Sequence, residues 1–278
     1  MTPIVFVHGI RISGTMWGPV VSRLSLLGRP AMAVDLPGHG SRRGEPFSME
    51  GATSAVAAAI DGLGGRALVA GLSLGGYVGI ATAERFPERV TGLVAMGCTA
   101  RNSSALGAYR FAASFAARNP SLANRISAYG LRRLLPGPVG EAFVAGGLSC
   151  EVMPQVVEAV AGHDQFAALA AYPGRVWLVN GTRDPFRADE RDFLRACRNG
   201  RLILIPRRGH LGVMAAPGPL ARLLGDLCDQ VESPGRCDRT EGGRGGVIGG
   251  GGGSGAIEGC DRMERSAPSG AGGAAGTK

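Results

Sequence analysis

One serine in this sequence lies in a setting that suits a nucleophile. Ser73 is at the centre of the stretch "AGLSLGG", with Gly71 two residues before it and Gly75 two residues after it. The run "RALVA" before this stretch predicts a strand, and "YVGIATAERF" after it predicts a helix. A tight turn between a strand and a helix excludes side chains on either side and exposes the central hydroxyl. The flanking elements therefore favour a nucleophile, although a chain with 47 Gly in 278 residues produces such spacings by chance.

A hydroxyl nucleophile needs a general base, and the base needs an acid that orients it. His210 follows the predicted strand "LILIP", and Asp184 follows the predicted strand "VWLVNG". Both residues come after strand ends, and the carboxyl edge of a parallel sheet is where such folds place their sites. The sequence thus predicts a Ser73, Asp184, His210 triad. The amide of Leu74, which opens the predicted helix, is a candidate donor to an oxyanion.

The other candidate acids and histidines are expected to have structural rather than catalytic roles. Asp189 and Asp192 fall on the predicted helix after Asp184 and are expected to be solvated. We expect His8 to bond the backbone of its loop and His39 to belong to a turn. His163 lies in a helical region and is expected at the surface or in packing.

Strands and helices alternate at both ends of a central helical region. Residues 1–99 and 173–231 predict an α/β core with a mostly parallel sheet of about six strands and helices on both faces. Residues 100–172 contain helical patterns and no strand, which indicates an inserted helical cap. Residues 232–278 are rich in glycine and predict a disordered tail that is dispensable for stability and activity.

Five motifs in order resemble the α/β-hydrolase superfamily over residues 3–231. They are "VHGI" with Trp17 downstream, "DLPGHGSR", "GLSLGG", "NGTRDPF" and "GHLG". Within that superfamily the chain is similar to small carboxylesterases, carrier-protein methyl ester esterases and enol-lactonases. Members usually carry a two-strand hairpin before the "HG" strand, where this sequence starts, so six strands rather than eight are expected.

The resemblance implies a cofactor-free serine hydrolase that cleaves a small ester, thioester or lactone. It implies that the amide of Ile10, the residue after "HG", is the second oxyanion donor. Trp17 either lines the substrate pocket or packs the first helix. Two other functions stay open: a C–C bond hydrolase or lyase on the same triad, and a ligand-binding receptor with little turnover.

Composition excludes several classes of function. The net charge of +8 comes without a basic run or basic residues interleaved with aromatic ones, which argues against nucleic-acid binding. The first residues, "MTPIVFVHGI", do not form a signal peptide, and no apolar stretch is long enough for a membrane span. The six cysteines show no metal-binding spacing. We therefore expect a cytoplasmic protein without a metal, membrane or nucleic-acid partner.

The predicted cap is basic. Residues 101–140 contain six arginines and no Asp or Glu, and Arg125 and Arg132 share a face of a helix predicted from Ser121 to Leu135. This face could attract an anionic substrate or an acidic carrier protein that presents the acyl group, or it could simply be solvated. Four apolar residues of the same helix are expected to pack toward the sheet: Leu122, Ile126, Tyr129 and Leu134.

Overall fold

The protein was analysed as a computed structural model, which describes residues 1–101, 104–233 and 260–261. Strands and helices alternate in the first part of the chain, as the sequence predicts. The elements are β1 Ile4–Val7, α1 Gly18–Leu26, β2 Ala31–Val34, α2 Met49–Gly62, β3 Ala67–Leu72, α3 Leu74–Arg85 and β4 Val90–Met96. After the helical region, β5 Arg175–Gly181, α9 Glu190–Ala196, β6 Asn199–Ile205 and α10 Pro217–Glu232 continue the alternation.

Six parallel strands form the sheet in the order β2-β1-β3-β4-β5-β6, which confirms the predicted α/β fold. A two-residue strand, β7 Cys260–Asp261, pairs antiparallel with β6. The prediction of a disordered tail is therefore wrong for residues 260–261, because two residues carry no periodicity from which a strand could be predicted. The predicted disorder of residues 234–259 and 262–278 lies outside the described residues.

The central strands of the sheet are buried on both faces, while the edge strand β2 is half-buried. Successive side chains of a strand point to opposite faces, so Val5 and Val7 join one core cluster while Ile4 and Phe6 join the other. Helices α2, α3, α8 and α9 contribute to the first cluster, and α1 and α10 contribute to the second. This two-sided cover explains why the strands read as continuous apolar runs.

Five helices occupy the chain between β4 and β5. They are α4 Ser104–Arg118, α5 Pro120–Leu134, α6 Gly137–Ala145, α7 Met153–Ala161 and α8 Gln165–Ala171. No single helix among the described residues is long and apolar enough to cross a membrane. Helix α6 and the segment Cys150–Ala161 reach that length and apolar composition only when taken together, and they are bent by 65° relative to each other.

The predicted packing of α5 is wrong. Leu131 is the buried residue of α5, at 4% exposed, and it joins the second core cluster. Leu122, Ile126 and Tyr129, spaced i, i+4 and i+7, share a face roughly opposite Leu131, and Leu134 also lies away from the buried side. Their exposed fractions are 50% for Leu122, 62% for Ile126, 67% for Tyr129 and 76% for Leu134.

Candidate active site

Ser73 lies on a sharp turn between β3 and α3. Its backbone has φ 57° and ψ −117°, a conformation that a non-glycine residue rarely adopts. A Cβ on Gly71 would lie 2.1 Å from the carbonyl oxygen of Gly75, and a Cβ on Gly75 would lie 2.1 Å from that of Val7. The two glycines are therefore required by the turn, which places Ser73 at the carboxyl edge of the sheet.

His210 and Asp184 are brought together at the same edge. The carboxylate oxygens of Asp184 lie 3.0 and 3.1 Å from His210 Nδ1, and Asp184 is only 3% exposed. With Nδ1–H donating to the carboxylate, Nε2 is left as the acceptor nitrogen of the ring. The Phe186 ring lies 4.6 Å from the imidazole between centroids, and the Phe186 amide donates to Asp184 Oδ1.

A cavity of about 140 Å³ joins these groups. Ser73 and His210 both line it, and most of its remaining wall is aliphatic or aromatic. The hydrogen bonds between described residues do not include one from Ser73 Oγ to His210, and such bonds often tighten only when substrate binds. The arrangement supplies a hydroxyl, an oriented imidazole and an apolar space for a substrate chain.

The two amides predicted to bind an oxyanion belong to residues that line the cavity. Leu74 is the first residue of α3, so its N–H has no acceptor within the helix. Ile10 follows the end of β1 and lines the cavity together with Leu74. Neither amide donates a hydrogen bond to another described residue. Both predicted oxyanion donors are thus available to a substrate oxygen.

Trp17 does not line the cavity. It is fully buried and stacks on Phe6, with ring centroids 4.6 Å apart. The expectation that it contacts substrate is therefore wrong, and the alternative that it packs the first helix agrees with the structure. The residue types alone could not separate these roles, since the indole is apolar enough for either.

The remaining histidines make structural contacts. His8 Nδ1 is 2.8 Å from the Gly9 carbonyl oxygen, and His8 Nε2 accepts from the Leu36 amide at 3.0 Å. Burial, assisted by the charge of His39, lowers the pKa of His8 to about 3. His39 is buried in its turn with Nδ1 2.9 Å from the Pro37 carbonyl oxygen, and burial lowers its pKa. His163 Nε2 lies 3.1 Å from Glu84, which joins the helical region to α3.

The two rival acids do not reach His210. Asp189 is half-buried at the start of α9 and accepts the Arg101 amide at 2.6 Å, so it is less solvated than predicted. Asp192 is exposed and pairs with Arg195, as expected of a solvated position. Of these three acids, Asp184 is the one whose carboxylate lies within hydrogen-bonding distance of His210 among the described residues.

A buried polar network that sequence reasoning missed supports the Asp184 loop. Asn180 Nδ2 donates to Thr99 Oγ1 at 2.9 Å and to Glu190 Oε2 at 3.0 Å. The Thr99 amide in turn donates to the Phe186 carbonyl at 3.1 Å. The sequence feature that could have indicated this network is Asn180 near the end of β5, in "VNGTRDPF", because a buried side-chain amide requires hydrogen-bond partners.

The predicted arginine face is only partly available for binding. Arg132 pairs with Glu141 at 2.9 Å, and Arg101 lies over the Phe166 ring at 4.6 Å. Arg118, Arg125 and Arg133 are exposed and have no carboxylate partner among the described residues. Within the described ranges no group of three or more His, Cys, Asp or Glu could hold a metal ion.

Comparison with known proteins gives a family match over most of the chain. Residues 4–223 match the model of the family described as "Alpha/beta hydrolase family". A pimeloyl-[acyl-carrier protein] methyl ester esterase of Neisseria meningitidis is 38% identical over 103 residues, which is 37% of this chain and 39% of that protein. Its counterpart from Nitrosomonas europaea is 41% identical over 97 residues, 34% of this chain and 37% of that protein. The matches thus span less than half the length of these relatives.

Solved structures show the same fold. A thermophilic esterase from Thermogutta terrifontis matches with a TM-score of 0.68 at 21% identity, covering 84% of this chain and 91% of the other. The enol-lactonase from Burkholderia xenovorans LB400 matches with a TM-score of 0.67 at 19% identity, covering 82% and 92%. At these identities the likeness concerns the fold alone.

Proposed function

Because the chain belongs to the alpha/beta hydrolase family, we propose that it is a serine hydrolase that cleaves a small ester, thioester or lactone. One observation carries the proposal: the Asp184 carboxylate holds His210 Nδ1 at 3.0 Å, at the wall of the cavity that Ser73 also lines. The apolar wall of that cavity suits a short acyl chain, and the residues present supply a complete hydrolytic reaction without a cofactor.

In the first half-reaction His210 Nε2 takes the proton of Ser73 as its Oγ attacks the substrate carbonyl. The amides of Ile10 and Leu74 donate to the oxyanion of the tetrahedral intermediate, and the loss of one such donor typically costs about 3 kcal/mol. The buried Asp184 carboxylate stabilises the imidazolium. Collapse of the intermediate breaks the bond to the leaving oxygen or sulfur, which receives the proton from His210.

In the second half-reaction water replaces the leaving group. His210 removes a proton from the water, whose oxygen attacks the acyl-enzyme, and the second tetrahedral intermediate uses the same two amides. Its collapse releases the carboxylic acid and returns the proton to Ser73 Oγ. The net reaction consumes one water for each ester bond cleaved.

For the substrate, we propose an acyl group presented by an acidic carrier protein. The matched relatives are named as esterases of an acyl-carrier-protein conjugate. The exposed Arg118, Arg125 and Arg133 lie on α4 and α5, in a segment without acidic residues. A guanidinium pairs with carboxylate or phosphate through its planar fork, so these side chains suit an acidic partner.

The test is multiple turnover of p-nitrophenyl butyrate, compared with the same acyl ester on an acyl carrier protein. Ser73→Ala should lower kcat by about 10⁴-fold or more, while Ser25→Ala, an exposed serine of α1, should match the wild type. Arg125→Ala/Arg133→Ala should lower kcat/KM on the carrier-linked ester alone, with Arg23→Ala as the surface control.

Labelling of Ser73 by a fluorophosphonate without turnover of any ester would indicate a receptor instead. Turnover restricted to substrates that are cleaved at a carbon–carbon bond would indicate a C–C hydrolase or lyase. An equal response of both esters to the arginine double variant would remove the carrier protein from the proposal and leave the hydrolase.

A further inference from the structure

Among the described residues that line the cavity, Arg11 alone carries a permanent charge. The other polar side chains in the described wall are Ser73, His210 and Tyr77, and the hydroxyl of Tyr77 already donates to the Ala100 carbonyl at 2.7 Å. The rest of the wall is aliphatic or aromatic, with Leu131 and Phe143 contributed by the helical region. A cation therefore borders a space that is otherwise apolar.

The backbone places this cation in an unusual way. Arg11 has φ 61°, in the left-handed region that glycine adopts freely and arginine does not. Its carbonyl accepts the amide of the buried Ser149 at 2.9 Å, which ties the turn to the helical region. It directly follows Ile10, the proposed oxyanion donor. A non-glycine residue persists in such a conformation only where its surroundings hold it, and such positions cluster at ligand sites.

The guanidinium of Arg11 makes no hydrogen bond or ion pair with another described residue. Two other half-buried arginines behave differently: Arg89 pairs with Asp61 at 2.9 Å, and Arg187 pairs with Glu190. Burial raises the pKa of the Cys150 thiol, and a hydrogen bond with Ser127 and the charge of the nearby Arg11 oppose that rise. A half-buried cation beside an apolar wall is incompletely solvated, and an anionic ligand group would complete its surroundings.

We propose that Arg11 binds an ionised carboxylate of the substrate, remote from the bond that is cleaved. This inference rests on the proposed hydrolase function and identifies its substrate as an ester with a second, acidic end. The planar fork of arginine matches a carboxylate in two parallel hydrogen bonds. A phosphate monoester fits less well, because its higher charge requires more donors than one guanidinium in a cavity of about 140 Å³.

The test compares two series of methyl esters that differ only in one end group. The first contains monomethyl esters of linear dicarboxylic acids of increasing length, and the second contains methyl esters of the matching monocarboxylic acids. We expect the wild type to show a higher kcat/KM for the acidic series at one or two lengths. Arg11→Asn, which tolerates the left-handed backbone, should lower the ratio of acidic to neutral kcat/KM by about tenfold to a hundredfold. Arg11→Lys should keep part of the preference.

Arg207→Asn is the matched control. Arg207 is also an arginine with positive φ, at 59°, but it is exposed and does not line the cavity, so its replacement should leave the ratio unchanged. A wild type without preference for the acidic series, or a ratio that survives Arg11→Asn in a folded protein, would overturn the inference.

A binding measurement separates this inference from the proposed hydrolysis. Ser73→Ala should bind the preferred acidic monoester more tightly than its neutral match by calorimetry, and the additional Arg11→Asn change should abolish the difference. If this difference in binding is found but the wild type turns over no ester, the hydrolase is refuted and the carboxylate site is supported. Turnover of neutral esters, together with equal binding of both esters, would support the hydrolase and refute the site.

Discussion

Large apolar side chains are buried in the central strands of the parallel sheet but exposed on helix α5. Every residue of β1 and β3 is buried, whereas Ile126 and Tyr129 of α5 are 62% and 67% exposed. Helices cover β1 and β3 from both faces, so an apolar residue there has only buried directions, whereas the edge strand β2 leaves Met32 39% exposed. Helix α5 rests on the molecule with one side, so its apolar residues are divided between the interior and the surface. The hydrophobic periodicity of a sequence thus locates a helix, but it does not identify the buried face when opposite faces are both apolar.

Replacing a glycine by alanine should produce the largest difference in the free energy of unfolding between the two regions. Gly75→Ala would place a Cβ 2.1 Å from the Val7 carbonyl oxygen, and the three nearest atoms all belong to the backbone of Val7 and His8, which cannot move aside as a flexible side chain could. We expect a loss of more than about 3 kcal/mol in the free energy of unfolding, or no folded protein. Thermal unfolding and fluorophosphonate labelling of Ser73 measure the two consequences.

Gly130→Ala in α5 is the matched change. A Cβ at Gly130 meets nothing within 4 Å, so alanine should raise the free energy of unfolding by about 0.5–1 kcal/mol through its helix propensity. Comparable stability of the two variants would contradict the contrast between a closely packed core turn and an open outer helix.

A smaller effect should distinguish the two sides of α5 itself. Leu131→Ala removes a side chain that is 4% exposed and lines the cavity, at an expected cost of about 2–4 kcal/mol. Ile126→Ala, on the outer side, should change the free energy of unfolding by less than about 0.5 kcal/mol. Denaturant unfolding at constant protein concentration measures both, and a large cost at Ile126 would mean that another surface covers this side in solution.

A pH-dependent effect concerns the buried histidine of the core. The pKa of His8 is lowered from 6.5 to about 3 in the folded protein, so the unfolded chain binds the proton more strongly. The stabilising contribution is complete above pH 6.5 and is lost as the pH falls toward 3, at a rate of at most about 1.4 kcal/mol per pH unit. Unfolding measured at several pH values in this window should show a shallower decline in His8→Gln than in the wild type.

His163→Gln provides the comparison from the helical region. Its imidazole is half-buried and faces Glu84, so it lacks the enclosed environment of His8. The pH dependence that is due to His8 should persist in this variant. An unchanged slope in His8→Gln would show that other groups carry the acid sensitivity.

The sequence predicted the core and the positions of Ser73, Asp184 and His210, since each follows a strand of clear apolar character. The steric reason for Gly71 and Gly75 was also predictable, because the turn geometry is a local property. The packing of Trp17 and the outer side of α5 were not, because an apolar residue fits a pocket, a core and a surface equally well on composition. Arg11 could not be identified from the sequence, because only the folded arrangement shows that its guanidinium has no partner among the described residues.

The placement of the helical region has a consequence for how the protein reaches its folded state. The chain leaves the sheet after β4 and returns at β5, so the Gly92–Arg175 pairing joins residues far apart in sequence. Closing so long a loop is entropically costly and slow compared with forming local contacts. Ser73, Ile10 and Leu74 precede this junction, while Asp184 and His210 follow it. The kinetics with which Ser73 acquires reactivity during refolding therefore report when the two halves of the chain join.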